Sequence, residues 1–324
     1  LPLSAEFVLD ETPILKEPHL VDSWVLWLEQ RPYELGRTTA LIRPWGDSSA
    51  TPQELTPAPI NLRTRVHGYG GGPISIATHQ GQLHFAWIDD QDGCLWYQIW
   101  DGLNNFKIPG YELFSIIDPV CLSKQNKDLL ADGFIDLTRS RWVGVMEKEK
   151  EDFLVSFSLL KYHQDPKILH VANDFLGYAS LSPLCDQLAW IEWATPSMPW
   201  DSSQLWWGRF DKAGEIVERY PLAGSAITSK TAKSVFQPNW LATGQLVVAE
   251  DSSGWWNLMV LEPGIGRDLL ENWQSVWNIQ AEVAMPQWVF GMSTISSSRG
   301  TIIASTCKNA VWYFPSPSIK QLPE

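Results

Sequence analysis

The stretch "RTRVHGYGGGPISI", from residue 63, sets Arg63, Arg65, His67 and Tyr69 ahead of three glycines. Side chains two apart in an extended segment share a face, so Arg63, Arg65 and His67 could together line a channel mouth. The glycines also raise a phosphate cradle. No helix follows whose N-terminus could hold an anion, however, and a tight start to a strand is the plainer reading. A second stretch, "IEWATPSMPWDSSQLWW" from residue 191, carries Glu192, Trp200 and Asp201 around a loop broken by Pro196 and Pro199. Two carboxylates can divide acid and base work, yet a proline-broken loop does not fix their separation, and an Asp that opens a turn accounts for Asp201 as well. A third, "EDSSGWWNL" from residue 250, reads as a hairpin turn followed by a strand that starts at Trp255 and Trp256 with one ring on each face. Arg63, Arg65, His67, Glu192, Trp200, Asp201 and Trp255 are thus the candidates for facing a substrate or partner, and none is given a catalytic role.

Catalytic apparatus is missing from the sequence. "GYASLS" and "GMSTIS" lack the second glycine of a nucleophile elbow, and neither a zinc-protease helix motif nor a phosphate-binding loop occurs. None of the six histidines has a carboxylate or thiol neighbour at a spacing that implies a triad. Cys94, Cys121, Cys185 and Cys307 lie far apart with no paired spacing, so reduced structural cysteines are expected, without a metal site or any other cofactor.

The 324 residues are 44% apolar and 19% charged, which excludes a disordered or low-complexity chain. A net charge of −13 argues against nucleic-acid and anionic-membrane partners, because both require a basic face. No apolar run is long enough to cross a bilayer, and the first residues do not resemble a signal peptide, so a cytoplasmic protein is expected.

The elements that must position the candidates recur. "SWVLWLEQ", "GQLHFAWID", "SRWVGVMEK", "DQLAWIEW", "TGQLVVAED" and "RGTIIASTC" start at intervals of 46 to 59 residues, and each is followed by a polar turn and a second β-branched or aromatic run. This is a hairpin repeated six times. Small-residue stretches precede most hairpins and suit a crowded inner strand. The expected fold is all-β: a β-propeller with six recognisable blades and room for a partial seventh. "GRDLLENWQSVW", from residue 266, reads as a loop or a single short helix. Of the 19 tryptophans, Trp27, Trp87, Trp190, Trp240 and Trp288 are expected to fill the wedges between blades, with ligand stacking as the sharper alternative. The propeller is placed at 20–314, after an N-terminal segment at 1–19, whose residues 3 to 15 could seal the ring, and before an exit segment at 315–324.

Four motifs carry a resemblance: "LTPAPINLRTRVHGYGGG", "LSPLCDQLAWIEWATPSMPWDSSQLWW", "SVFQPNWLATGQLVVAEDSSGWWNL" and "PQWVFGMST". They resemble the N-terminal propeller of the prolyl oligopeptidase family of serine peptidases, in its acylaminoacyl-peptidase and dipeptidyl-aminopeptidase-like branch. The resemblance implies a noncatalytic domain that gates and helps to bind peptide substrates for an α/β-hydrolase domain not present in this chain. Departures from the family pattern are local: Gly68 stands where an acidic residue is common, Ala194 and Thr195 where Asp-His is usual, and Leu184 and Cys185 follow Ser182 and Pro183 where Asp-Gly would. A free-standing propeller that binds a protein or peptide is the alternative, and an enzyme working in the channel mouth is the third class.

Overall fold

Runs of alternating apolar residues, cut by Gly, Asp, Ser and Pro, can satisfy their backbone only by pairing with neighbours. They do so in successive antiparallel sheets in a computed structural model that describes residues 12–125, 127–224, 232–261, 273–298, 301–308 and 311–313. The first sheet is β1 (Ile14–Val21), β2 (Trp24–Arg31), β3 (Arg37–Pro44) and β4 (Gln53–Glu54). The second is β5 (Ile74–His79), β6 (Gln82–Ile88), β7 (Leu95–Asp101) and β8 (Phe114–Ser115), with β9 (Val120–Cys121) also on β7. The third is β10 (Leu129–Asp136), β11 (Arg141–Lys148), β12 (Glu151–Ser158) and β13 (Lys167–Val171). The fourth is β14 (Phe175–Leu181), β15 (Gln187–Trp193), β16 (Gln204–Phe210) and β17 (Ile216–Gly224). The fifth is β18 (Val235–Trp240), β19 (Leu246–Glu250), β20 (Asn257–Leu261) and β21 (Trp273–Trp277). Each is one blade of a propeller.

The sixth expected hairpin takes a different form. Two two-stranded sheets follow the fifth blade, β22 (Ile295–Ser298) with β23 (Thr301–Ala304) and β24 (Thr306–Lys308) with β25 (Val311–Tyr313), and only Ser305 separates β23 from β24. The described residues therefore hold five full blades and a smaller sixth unit. Their only helical segments are three short 3-10 turns, so none is long and apolar enough to cross a membrane. The stretch read as a loop or helix from residue 266 is corrected where it is described: Trp273–Trp277 is the outer strand of the fifth blade. Most of the segment 3 to 15 lies outside the described residues, and Ile14 already belongs to β1.

Hydrophobic clusters lie between consecutive units. Leu176, Leu188, Trp190 and Phe210 of the fourth blade pack with Val143, Val145 and Leu154 of the third, while Trp207 and Leu205 on its other face meet Val235, Leu246 and Val248 of the fifth. Tryptophan fills several of these wedges. Trp24, Trp87, Trp142, Trp190 and Trp207 are fully buried, the Trp24 indole donates to the Leu103 carbonyl across blades at 2.8 Å, and Trp240 donates to Ser180 at 3.0 Å. Trp288 departs from expectation, being 53% exposed in a loop rather than wedged between blades. Trp142 shows how the sequence makes room: a Cβ at Gly133 would lie 2.2 Å from its ring, and one at Gly144 would lie 2.3 Å away.

The innermost strands share one irregularity. β1, β10, β14 and β18 each shift register around a residue in the left-handed region: Glu17, Asp132, Tyr178 and Gln237. Gly72 and Gly291, also left-handed, precede β5 and β22 in the same way. Such bulges bend a strand where the ring is tightest. They also turn polar groups inward. The Gly72 N–H points at Glu17 Oε1 (3.3 Å), the Asp132 N–H donates to the Gly72 carbonyl (3.0 Å), and the Tyr178 N–H donates to Asp132 Oδ2. A Cβ on Gly291 would meet the Glu17 carboxyl at 2.6 Å, which brings the sixth unit against the first blade.

The axis is not open. Phe290, 4% exposed, lies with its ring 5.4 Å from His67 and 5.6 Å from Tyr178, and its ring would strike a Cβ at Gly177 at 2.3 Å. Its backbone runs parallel to Gly71 and donates to the Gly70 carbonyl at 3.0 Å. The channel anticipated from the sequence is filled at this level.

Two predictions follow from this packing. Gly133→Ala should destabilise the fold by about 1–3 kcal/mol through overpacking against Trp142, and an unchanged thermal midpoint would contradict the close approach. Burial pushes the Glu17 carboxyl up from 4.5 to about 7, against a lowering hydrogen bond from Gly72, and the neighbouring Asp132 is pushed up to about 6. The folded state therefore holds protons that the unfolded chain has released, and stability should fall as pH rises from about 4.5 to about 7. Part of Glu17 still reaches solvent, which screens the effect. Glu17→Gln should flatten this fall in thermal melts across the window, and parallel curves for the two proteins would refute the assignment.

Candidate functional site

The turn that carries the triple glycine is shaped by backbone approach. A Cβ on Gly70 would sit 2.2 Å from the Thr64 carbonyl oxygen and one on Gly71 would sit 2.2 Å from that of Phe290, so only glycine fits at either position. Ahead of them the chain tightens into a 3-10 turn, Val66–Gly68, with His67 itself left-handed at φ 54°. That conformation ends the extended alternation expected through Arg63, Arg65 and His67. The His67 ring is turned inward, where its Nε2 lies 2.7 Å from Asp152 Oδ2, while its own N–H donates to Glu147 Oε2 at 2.6 Å.

Around His67 the face on which the inner strands begin encloses a cavity of about 570 Å³. Four segments build it: His67 and Tyr69; the β11–β12 turn with Glu147, Lys150 and Asp152; the strand ends at Asp174, Phe175 and Trp193 with the loop from Thr195 to Trp200; and Gln287 with Trp288. Aromatic rings supply most of the wall. Phe175 and Trp193 stack at 5.7 Å and 20°, His67 meets both edge-on, and Trp200 lies 4.5 Å from Trp288, which Tyr69 approaches at 6.2 Å. The loop is pinned by its own polar groups: the Thr195 N–H and hydroxyl both donate to Asp174 Oδ2, at 2.8 and 2.7 Å, and the Met198 N–H donates to Asp201 at 3.2 Å.

Electrostatically the cavity is acidic, with Glu147, Asp152 and Asp174 against Lys150. Asp152, its side chain 1% exposed, is pushed above the usual carboxylate range by burial, and the His67 bond and charge pull it back. Its Oδ2 also accepts the Leu176 N–H at 2.9 Å, and Oδ1 has no partner. No serine or cysteine is hydrogen-bonded to the His67 ring among the described residues. The pair thus pins the glycine turn to the third and fourth blades. No group of three or more His, Cys, Asp or Glu among the described residues is arranged to hold a metal ion.

Of the residues singled out from the sequence, the cavity gathers His67 and Trp200. Arg63 is exposed outside it, and Arg65 points outward to Asp90, with Nε and Nη2 both 2.8 Å from Oδ1. Glu192 is buried, its Oε1 shared by His170 Nε2 at 2.6 Å and Trp190 Nε1 at 2.7 Å, so it does not pair with Asp201. Asp201 caps its loop. Trp255 stands in the turn before β20, which starts only at Asn257, so the two tryptophans do not open the strand as expected. Two histidines have carboxylate partners that sequence spacing did not reveal, His67 with Asp152 and His170 with Glu192, 85 and 22 residues apart in sequence.

No family model and no curated protein matches the chain. Solved structures do. The chain is similar over 95% of its length to a Mycobacterium tuberculosis puromycin-hydrolyzing peptidase, at TM-score 0.78 and 23% identity, covering 44% of that protein. It is similar over the same share to a puromycin hydrolase, at TM-score 0.80 and 24% identity, covering 46%. It also resembles prolyl oligopeptidase B from Galerina marginata, at TM-score 0.52 and 9% identity, over 91% of this chain and 40% of that one. The chain thus matches the propeller region of puromycin-hydrolyzing peptidases of the prolyl oligopeptidase family and spans less than half of their length.

Asp152→Ala removes the acceptor of two hydrogen bonds and should cost about 1–3 kcal/mol for each buried donor left unpaired. Asp152→Asn should cost less, since it keeps one acceptor oxygen. Equal thermal midpoints for Asp152→Ala and the parent would show that the pair does not hold the turn.

Proposed function

We propose that this chain is the noncatalytic, substrate-recognising propeller of a peptidase, and that the cavity beside His67 receives an apolar or aromatic side chain of a peptide. The observation that carries the reading is the composition of that cavity: stacked aromatic walls with the carboxylates of Glu147 and Asp174 and the lysine Lys150 beside them, Asp152 being buried against His67. Rings at these separations offer an aromatic group both faces and edges, and the acidic rim favours a peptide's terminal ammonium. With Phe290 filling the axis, the gate in this reading is the cavity on the face, not a bore through the ring. The partner is an α/β-hydrolase domain, as in the peptidases whose propeller this chain matches. A ring of six units goes with it, placed at 20–314 from the sequence and here taking in β1 from Ile14, and the six left-handed positions from Glu17 to Gly291 support it. Four free cysteines suit a cytoplasmic setting. A free-standing peptide-binding propeller would use the same cavity without the partner.

The test is a tryptophan-fluorescence titration with puromycin and with aromatic and glycyl amino-acid amides. Saturable quenching by the aromatic compounds, weakened about tenfold or more by Trp200→Ala or Trp288→Ala, is the expected result. Absence of saturation, or equal affinity for the glycyl compound, would overturn the recognition role. Cleavage of puromycin by the chain alone, lost in His67→Ala, would overturn the noncatalytic one.

A further inference from the structure

A second cavity, of about 560 Å³, lies between the third and fourth blades at the end of the ring opposite the aromatic site. Its walls come from Lys124, the β10–β11 turn, the segment after β12, and Ala213 in the turn between β16 and β17. In a chain of net charge −13, it gathers five of the 24 lysines and arginines: Lys124, Arg139, Arg141, Lys161 and Lys167. That is a local reversal of the overall charge.

Arg141 is the centre of the argument. Its side chain is 8% exposed, its Nε donates to Asp136 Oδ2 at 3.0 Å, and its Nη1 donates to the Gly214 carbonyl at 2.7 Å. The guanidinium lies 4.6 Å above the Phe210 ring, so it cannot swing away without losing that contact. Nη2 has no partner. A buried charged donor left unpaired is costly, and in a well-packed structure it points to a group the site was built to hold. Ser156 adds a second donor. The β11–β12 register places it opposite Val143, on the sheet face that also carries Arg141 and Ser158, and its hydroxyl makes no hydrogen bond among the described residues.

The charges do not balance internally. Arg139 and Arg141 share Asp136, Lys124 pairs with Asp165 at 2.6 Å, and Lys167 pairs with Glu215. Lys161 has no ion-pair partner among the described residues, so five cations face three carboxylates. The surplus matches a dianion. A fixed guanidinium with one free nitrogen, a free hydroxyl and an exposed lysine are donors that suit the several oxygens of a phosphoryl group.

We propose that this cavity binds a phosphoryl anion, held by Arg141 Nη2, the Ser156 hydroxyl and Lys161. Free phosphate and the phosphate of a small organic ester share this chemistry, and the volume leaves space beside the anion for the body of an ester. Calorimetric titration of the whole chain at low salt tests it, with inorganic phosphate, pyrophosphate and phenyl phosphate as probes. Saturable binding is expected, weakened about tenfold or more by Lys161→Glu, an exposed position whose change leaves the fold intact. Ser156→Ala should weaken it by a smaller factor. Tighter binding of phenyl phosphate than of phosphate supports an organic ester, and equal binding supports the free ion. No binding by the parent chain at millimolar probe, or equal affinities for parent and Lys161→Glu, would overturn the proposal. The aromatic cavity is unaffected by either outcome.

Discussion

Crowding at the axis is the constraint on which the molecule depends. Inner strands that converge on one line have no room for a regular edge-to-edge path, and each bends through a left-handed residue where it comes nearest its neighbours. Phe290 then occupies the remaining space, against Gly71, Gly72 and Gly177. Everything on the face above inherits its position from that plug. His67 leans on Phe290 from one side, Tyr178 from another, and the Tyr178 hydroxyl donates to the Val289 carbonyl at 2.9 Å. The aromatic cavity is, in this sense, the outer surface of a filled hub.

What was legible in the sequence was what is local. A hairpin announces itself within some twenty residues through alternation and a turn, which is why ten of the blade strands could be placed from the apolar runs alone. The glycine run also told its story, since three consecutive residues without a Cβ imply a backbone passing something closely, here Thr64 and Phe290. Pairings across blades were not legible. Asp152 meets His67 and Trp288 meets Trp200 only because the ring curves round, and nothing in the spacing of either pair records that curvature. The alternation of Arg63, Arg65 and His67 failed for a related reason: a single left-handed residue redirects a side chain, and histidine carries no compositional mark of it. The outer strand Trp273–Trp277 was obscured by its setting, since it pairs along one side only and lacks a hairpin partner immediately after it.

Two cavities of similar volume sit at opposite ends of the same blades and differ in every chemical respect. One is aromatic and rimmed with carboxylates, the other basic and lined with hydroxyls. The third and fourth blades contribute to both, so their shared cluster around Val143, Leu154, Leu176 and Trp190 is the rigid block that separates them.

The aromatic cavity draws its wall from positions as early as His67 and as late as Trp288. During synthesis, therefore, the early blades can pair their strands before Trp288 exists, and the cavity is enclosed only once every residue from His67 to Trp288 has left the ribosome. The cavity is thus a late, long-range product of folding: a chain stalled before Trp288 can be well folded blade by blade and still lack one wall of it.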